Sequence, residues 1–180
     1  DTICGNDILI GNSASASNNH LEAFDRLRKF DTDNRKILVP LSYGDPKYAD
    51  YVEEIGVRTF GNDFIPLRKF LSLNEYIQQI KTCGIVIMNH YRQQALGNVL
   101  TMIYMGARVF LNESNTIFQF LTRIGVTVFS IEKDLNTDNR EALVNLPGHY
   151  IEKNRILLRN FMSEENIIQN LKEGLKDFNS

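Results

Sequence analysis

Short apolar runs that alternate with helical patterns constrain the fold of this 180-residue chain more than any other feature. Three of the runs end abruptly in polar and glycine residues just before a helical pattern, namely DILIGNSASASNNH from residue 7, KILVPLSYGD from residue 36 and IVIMNHYRQQALGN from residue 85. Strands that alternate with helices of about 10 residues form βαβ units, whose right-handed crossovers build a parallel sheet covered on both faces. The sequence therefore predicts an α/β fold with a doubly wound, Rossmann-like parallel sheet of about six strands.

Local patterns predict where the elements of this sheet lie. The predicted strands are 7–11, 36–42, 57–60, 84–88, 107–111 and 126–129, and the predicted helices are 20–30, 46–55, 72–83, 93–105 and 115–124. Ser72 and Glu75 have the spacing of a capping box at the start of one helix. Only helices are expected after the sixth strand, and Ser163 is predicted to begin the last of them. We expect one domain over residues 1–180, with C-terminal helices in 147–180 packed on it.

Composition and charge argue against several classes of protein. The net charge of −2 and the absence of a dense Lys or Arg run give no reason to expect a nucleic-acid partner. No apolar stretch approaches the roughly 18 residues of a membrane span, and the N-terminus lacks the features of a signal peptide, so a soluble chain is expected. Because the sequence enters its first strand almost directly after Asp1, we expect a fragment of a larger protein.

Cysteine and histidine spacing gives no metal or nucleophile pattern. Cys4 and Cys83 are the only cysteines, and their spacing suits neither a zinc site nor a disulfide framework. The three histidines are far apart in sequence and lie in no ligand or triad pattern. We therefore expect no metal and no cofactor, and a reducing compartment such as the cytoplasm.

The segment GNSASASNNH from residue 11 is the first candidate binding loop. It has a single glycine, so the GxGxxG and GxxxxGK[ST] motifs are absent and a dinucleotide oxidoreductase is not expected. Its small hydroxyl and amide side chains, together with the free amides of a helix start, suit an anion. The alternative is that Ser17, Asn18 or Asn19 only caps the helix, with Glu22 completing a capping box. The candidate binding residues are Asn12, Ser13, Ser17 and Asn18.

Two other strand ends carry further candidates. Tyr43 follows the second strand and is predicted either to stack on a base or line a sugar pocket, or simply to pack with its hydroxyl in water. After the fourth strand, Arg92 can bind a phosphate bidentately, and Gly97 lets the helix backbone approach a phosphate or a neighbouring strand. The candidates at this strand end are Arg92, Gln93, Gln94, Gly97 and Asn98.

The end of the fifth strand offers a carboxylate and several amides. Glu113 is placed to bind ribose hydroxyls, which is the usual acidic role in nucleotide-binding sheets. The alternative is a helix cap formed by Ser114 or Asn115. The residues at this point leave both interpretations open.

A series of residues, mostly at strand ends, matches a known family in order. The matches are Gly11-Asn12-Ser13, Ser17-Asn18, His20, Glu22-Ala23, Val39-Pro40, Tyr43, Arg92-Gln93-Gln94, Gly97, Leu111-Asn112, Asn115, Gln119 and Asp134-Leu135. Together they resemble the C-terminal half of glycosyltransferase family 56. This family comprises the N-acetylfucosamine transferases that act on a polyprenyl-diphosphate-linked saccharide in enterobacterial common antigen synthesis. The resemblance spans residues 8–136.

The resemblance implies that this chain is the donor-binding half of a two-domain GT-B enzyme. The first polar loop and the segment from Arg92 to Asn98 would then hold the diphosphate of a nucleotide sugar, with Asn112 near the nucleotide or the sugar. It also implies dTDP-N-acetylfucosamine as the donor, a lipid-linked saccharide as the acceptor, and attachment to the cytoplasmic face of the bacterial inner membrane. The catalytic base would come from a missing N-terminal domain, so this chain alone would bind the donor but hardly turn it over. The alternative is a non-catalytic Rossmann-like binding or protein-interaction domain.

Overall fold

The computed structural model describes residues 2–163, which form a six-stranded sheet with helices on both faces. The strands are β1 (Asp7–Ile10), β2 (Ile37–Pro40), β3 (Phe64–Leu67), β4 (Cys83–Met88), β5 (Arg108–Leu111) and β6 (Phe129–Ser130). The α-helices are α1 (His20–Leu27), α2 (Pro46–Phe60), α3 (Leu73–Ile80), α4 (Leu96–Met105), α5 (Thr116–Arg123) and α6 (Gly148–Phe161). The predicted α/β class is confirmed.

The strand order is β3-β2-β1-β4-β5-β6, which places the first strand inside the sheet. The chain builds outward from β1 to β3, crosses back to β4 beside β1, and then builds outward in the opposite direction. Every neighbouring pair of strands is parallel, so all six carboxyl ends lie at one edge of the sheet. The boundary between β1 and β4 is therefore the switch point at which ligands bind in doubly wound sheets.

The sheet is buried on both faces, which explains why its strands read as continuous apolar runs. Successive side chains of a strand point to opposite faces. Along β1, Ile8 and Ile10 pack in the layer that contains α1 and α2, whereas Leu9 packs in the layer that contains α4 and α5. Because both layers anchor the central strands, the carboxyl ends of those strands present their loops from a rigid base.

The predicted third strand at 57–60 is wrong, because these residues continue the helix Pro46–Phe60. The helix ends only at Gly61, whose φ of +58° suits glycine. The third strand is instead Phe64–Leu67, at the edge of the sheet beside β2. Pro66 interrupts its sequence pattern, and proline is tolerated in a strand at a sheet edge.

After the sixth strand the described residues contain a helix and no further strand, as predicted, but the boundaries differ from the expected ones. The sixth strand is the two-residue Phe129–Ser130 rather than 126–129, and residues 131–147 form turns before α6 begins. Helix α6 lies against α4, where Arg155 Nε donates to the Tyr104 carbonyl over 2.9 Å. Of the helix predicted to begin at Ser163, only Ser163 itself is among the described residues. Within residues 2–163, no helix is long and apolar enough to cross a bilayer.

Candidate functional site

Two loops flank the switch point, and the structure brings them into contact. The first loop (residues 11–19) follows β1, and the second loop (residues 89–95) follows β4. Ser17 Oγ donates to Gln94 Oε1 over 2.6 Å, and Asn19 Nδ2 donates to the Asn89 carbonyl over 2.8 Å. The polar residues that the sequence placed at separate strand ends therefore form one continuous surface.

Asn18 organises the first loop from the inside. Its side chain is fully buried, and its Oδ1 accepts the Asn12 amide over 2.8 Å. Its Nδ2 donates to Ser13 Oγ over 3.1 Å and to the Ser15 carbonyl over 3.2 Å. Asn18 and the buried Ser13 thus hold the loop in shape, whereas Ser17 lies exposed on its surface. Ser17 remains the better placed of the three to contact a ligand directly.

The capping alternative for the first loop does not describe the structure. Asn19 is the N-cap of α1, but it has a left-handed backbone with φ of +48° and makes no side-chain capping bond. Glu22 turns away from the helix start and accepts Asn89 Nδ2 over 3.0 Å and the Tyr91 hydroxyl over 2.6 Å. That hydrogen bond raises the pKa of Tyr91. The loop is therefore shaped by contacts with its neighbour across the switch point.

Two buried histidines lie beneath the loops. His20 is among the residues that match the family, whereas no role was predicted for His90. His90 Nε2 is 2.8 Å from Asn18 Oδ1 and 3.1 Å from Asn12 Oδ1. His20 Nδ1 is 3.2 Å from the Tyr48 hydroxyl. Burial lowers the pKa of each histidine to about 4, so both rings are neutral at pH 7. No local sequence pattern indicates the role of His90, because its two partners lie more than 70 positions away in the chain.

Gly11 is required where the first loop leaves β1. Its φ is +70°, and a Cβ at this position would lie 2.6 Å from His20 Nε2 and 2.8 Å from Asn18 Oδ1. A larger residue would therefore push the histidine or the asparagine out of place. The single glycine of the loop serves the packing of the polar network.

The second loop ends in a helix start that its own side chains leave uncapped. Ala95 is the N-cap of α4, with a left-handed φ of +58° and no side-chain capping bond. The first amides of a helix have no intrahelical acceptor and carry the positive end of the helix dipole, which suits an anion. A Cβ on Gly97 would meet nothing within 4 Å, so the glycine is not explained by packing against a strand. This helix start is therefore open to a ligand.

Arg92 is exposed beside this helix start. Among the described residues its side chain makes no hydrogen bond or ion pair, so its guanidinium is available to a ligand. Gln93 is likewise exposed, Gln94 is held by Ser17, and Asn98 is half-buried in the first turn of α4. Gln93 also borders an open, largely apolar groove of about 610 Å³ between α4 and α5.

The end of β5 supports the second loop. Asn112 is buried, with its Nδ2 3.3 Å from Asn89 Oδ1 and its Oδ1 accepting from the Ser114 amide over 3.0 Å. Asn115 caps α5 through the Ile117 amide over 2.8 Å, as the capping alternative predicted. Its Nδ2 also donates to the His90 carbonyl over 2.8 Å. Both asparagines therefore fix the backbone around the site.

Glu113 is not directed into the network of buried amides. Its carboxylate pairs with Lys133 Nζ over 2.9 Å. The hydrogen bond from Lys133 is the largest cause that lowers the pKa of Glu113. The role of Glu113 in binding ribose stays a prediction.

Tyr43 projects into solvent, so the packing alternative is wrong. Its side chain is 77% exposed, while its carbonyl accepts the Ala14 amide over 2.6 Å and ties the loop after β2 to the first loop. Phe70 occupies the equivalent position after β3, since Pro40 pairs with Leu67 and each aromatic residue follows its strand end by three positions. The Phe70 side chain is 86% exposed. Phe70 was not predicted as a site residue, because the third strand was expected at 57–60 rather than at Phe64–Leu67. Two exposed aromatic side chains therefore lie beyond the carboxyl ends of β2 and β3, at the same edge of the sheet as the polar loops.

Titratable clusters suited to a metal are absent from residues 2–163. Cys4 is exposed and Cys83 is buried, and neither is in a disulfide. Burial raises the pKa of the Cys83 thiol to about 12, which makes it unreactive.

The strand order and the position of the polar loops define a Rossmann-like domain with a candidate ligand site at its switch point. The chain belongs to the family described as 4-alpha-L-fucosyltransferase, glycosyl transferase group 56, whose model matches residues 4–172. The resemblance found in the sequence is thereby confirmed for both family and fold.

Two solved structures show the same fold. AviGT4, a glycosyltransferase involved in avilamycin A biosynthesis, matches 99% of this chain and 53% of its own, with a TM-score of 0.65 and 14% identity. WaaG, a glycosyltransferase involved in lipopolysaccharide biosynthesis, matches 88% of this chain and 43% of its own, with a TM-score of 0.57 and 15% identity. The chain thus spans about half the length of the glycosyltransferases it resembles.

Proposed function

We propose that this chain is the donor-binding domain of a glycosyltransferase and that the nucleotide sugar binds at the β1–β4 switch point. The observation that carries the proposal is the uncapped start of α4, which lies beside Arg92 and next to the contact between Gln94 and the first loop. The Arg92 side chain has no partner among residues 2–163. Backbone amides at a helix start and a free guanidinium are groups that bind phosphate. Family membership gives this anion site its expected ligand.

The diphosphate is assigned to the second loop and the exposed rim of the first. Arg92, Gln93 and the amides around Gly97 would contact its oxygens, with Ser17 at the rim. Tyr43 would stack on the base or line the sugar pocket. Asn12, Asn18 and Asn112 support these contacts by fixing the two loops.

This arrangement suits the departure of a nucleoside diphosphate. Charge builds up on the leaving diphosphate in the transition state, and fixed N–H donors and a guanidinium stabilise it without rearrangement. We propose that the transfer is independent of a metal ion, because these donors supply the positive potential. The group that activates the acceptor hydroxyl is assigned to a separate N-terminal domain, so the chain by itself would bind the donor but hardly turn it over.

We further propose a dTDP-linked deoxysugar such as dTDP-N-acetylfucosamine as the donor. The acceptor would be a polyprenyl-diphosphate-linked saccharide used in cell-envelope polysaccharide synthesis. Such an acceptor would hold the full enzyme at the cytoplasmic face of the bacterial inner membrane. The match to the fucosyltransferase family supports the sugar class.

Calorimetric titration of the 180-residue chain with dTDP and with UDP tests the proposal. We expect binding of dTDP, and a rise in unfolding free energy of about 2.7 kcal/mol when its concentration is 100 times the dissociation constant. Tighter binding of UDP would overturn the dTDP assignment alone. No heat and no stabilisation with either nucleotide, in a folded sample, would overturn the nucleotide site.

A further inference from the structure

We propose that His90 is a positioning residue of the nucleotide site, which holds the first loop in its binding shape through Asn18 and Asn12. This inference rests on the proposed function, because the loop it positions is part of the donor site. His90 lies in the second loop, 72 positions from Asn18 and 78 from Asn12, and is only 1% exposed. It does not reach the surface where a ligand would lie.

The hydrogen bonds around Asn18 determine which nitrogen of His90 carries the proton. Asn18 Oδ1 already accepts from the Asn12 amide, and Asn18 Nδ2 donates to two oxygens of the first loop. The orientation of the Asn18 amide is therefore fixed, and its Oδ1 faces His90 as an acceptor. The neutral His90 ring must then carry its proton on Nε2 and donate it.

The donor of this bond is held in place from the other side. Asn115 Nδ2 donates to the His90 carbonyl over 2.8 Å and to the Arg92 carbonyl over 3.1 Å. Asn115 is itself buried at the start of α5. A chain of hydrogen bonds thus runs from α5 through the second loop to the first loop, and His90 is its central member.

These hydrogen bonds take the structural role that glycines have in ordinary phosphate-binding loops. In the GxGxxG and P-loop motifs, glycines allow the tight turn that aims backbone amides at a phosphate. The first loop has Gly11 alone, followed by residues that carry side chains. Its turn is held instead by the Asn18 side chain, which hydrogen-bonds to the loop from the inside. The proton on His90 Nε2 provides the second hydrogen bond to Asn18 Oδ1.

Two substitutions of similar size separate positioning from simple packing. The amide nitrogen of glutamine can occupy the position of histidine Nε2, whereas the shorter asparagine reaches only the position of Nδ1. We expect His90→Asn to weaken dTDP binding at least tenfold and His90→Gln to restore it to within threefold of the wild type. His149→Ala serves as the control, because His149 is exposed at the start of α6, and should leave binding unchanged.

Amide hydrogen exchange without ligand provides an independent measurement. We expect the Asn12 amide to exchange at least tenfold faster in His90→Asn than in the wild type or in His90→Gln. A folded His90→Asn variant with wild-type affinity or unchanged Asn12 exchange would overturn the positioning role. Equal losses in both variants would reduce His90 to a packing residue and would overturn it as well.

The measurements also separate this inference from the proposed function. If the wild-type chain binds neither dTDP nor UDP, the nucleotide site is refuted, but the exchange of Asn12 still decides whether His90 holds the first loop. If wild type and His90→Asn bind dTDP equally, the nucleotide site stands and the role of His90 fails.

Discussion

Ser17 Oγ and Gln94 Oε1 lie 2.6 Å apart, and their hydrogen bond joins the rims of two loops that are 77 positions apart in sequence. Beneath it, Asn18 and His90 make a second, buried connection between the same loops. The rim is exposed to solvent, whereas the lower connection is not. The surface available to a ligand therefore consists of exposed side chains on a backbone that buried hydrogen bonds hold in place.

Replacement of Arg92 tests the proposed diphosphate contact. Arg92→Ala should weaken dTDP binding by about 1.5–3 kcal/mol, the range of a hydrogen bond to a charged group. Calorimetric titration measures the change, and the loss should shrink as salt is raised because the contact is exposed. Stability should hardly change, since the side chain pairs with nothing in the described part of the chain.

Arg140→Ala is the matched control for this arginine. Arg140 is also exposed, and it borders the same groove as Arg35. Because Arg35 precedes β2, this groove lies at the edge of the sheet opposite the proposed site. We expect wild-type affinity for dTDP from this variant. Equal losses in the two variants would point to a general charge effect and would count against a specific contact at Arg92.

Gly97→Ala separates helix stability from ligand access. Nothing lies within 4 Å of the added Cβ, and alanine favours a helix over glycine by about 0.5–1 kcal/mol, so urea unfolding should show a more stable protein. If the diphosphate approaches the backbone here, the same methyl group should weaken dTDP binding at least several-fold. A variant that is more stable and binds dTDP as well as the wild type would place the diphosphate elsewhere.

Signals confined to a few residues predicted much of the fold. Ser72 and Glu75 form the capping box that their spacing indicated, with the Ser72 amide donating to Glu75 Oε2 over 2.8 Å. The apolar runs predicted the buried strands, because burial on both faces leaves little room for polar residues. Phe64–Leu67 escaped prediction because its place at the sheet edge tolerates a proline, which a sequence pattern reads as a break.

The meeting of the polar strand ends was predictable from the sequence, but the contacts of the individual residues were not. Polar residues at the ends of parallel strands must meet at one edge, and Ser17 and Gln94 do so. Whether an amide faces a ligand or a neighbouring loop depends on contacts across the sheet. Asn18 was predicted as a ligand contact, but its side chain hydrogen-bonds to its own loop and to His90. His90 was missed for the same reason, since its partner becomes a neighbour only after β1 and β4 pair.

The two buried histidines predict how stability responds to acid. The pKa of His20 and of His90 is lowered from 6.5 to about 4 in the folded protein, so the unfolded chain binds more protons between these values. Their contribution to stability is complete above pH 6.5 and is lost as the pH falls towards 4, by at most about 1.4 kcal/mol per pH unit for each ring. Urea unfolding between pH 7 and pH 5, above most carboxylate titration, measures the slope. The variants His20→Gln and His90→Gln should each reduce the dependence of the unfolding free energy on pH. An unchanged pH dependence in both variants would contradict the lowered pKa values of the two histidines.

Tyr43 tests whether the loop after β2 belongs to the donor site. Because its side chain is 77% exposed, Tyr43→Ala should change the unfolding free energy by less than about 0.5 kcal/mol. Stacking of an aromatic side chain on a base is worth about 1–3 kcal/mol, so the variant should lose that much affinity for dTDP, and Tyr43→Phe should retain it. Tyr51→Ala, at a half-exposed tyrosine of α2, provides the control.

Titration with pyrophosphate locates the contact, since a tyrosine that stacks on the base affects dTDP binding and leaves pyrophosphate binding unchanged. If Tyr43→Ala binds dTDP with wild-type affinity, the loop after β2 is not part of the nucleotide site, and only the proposed anion contacts at the start of α4 would remain.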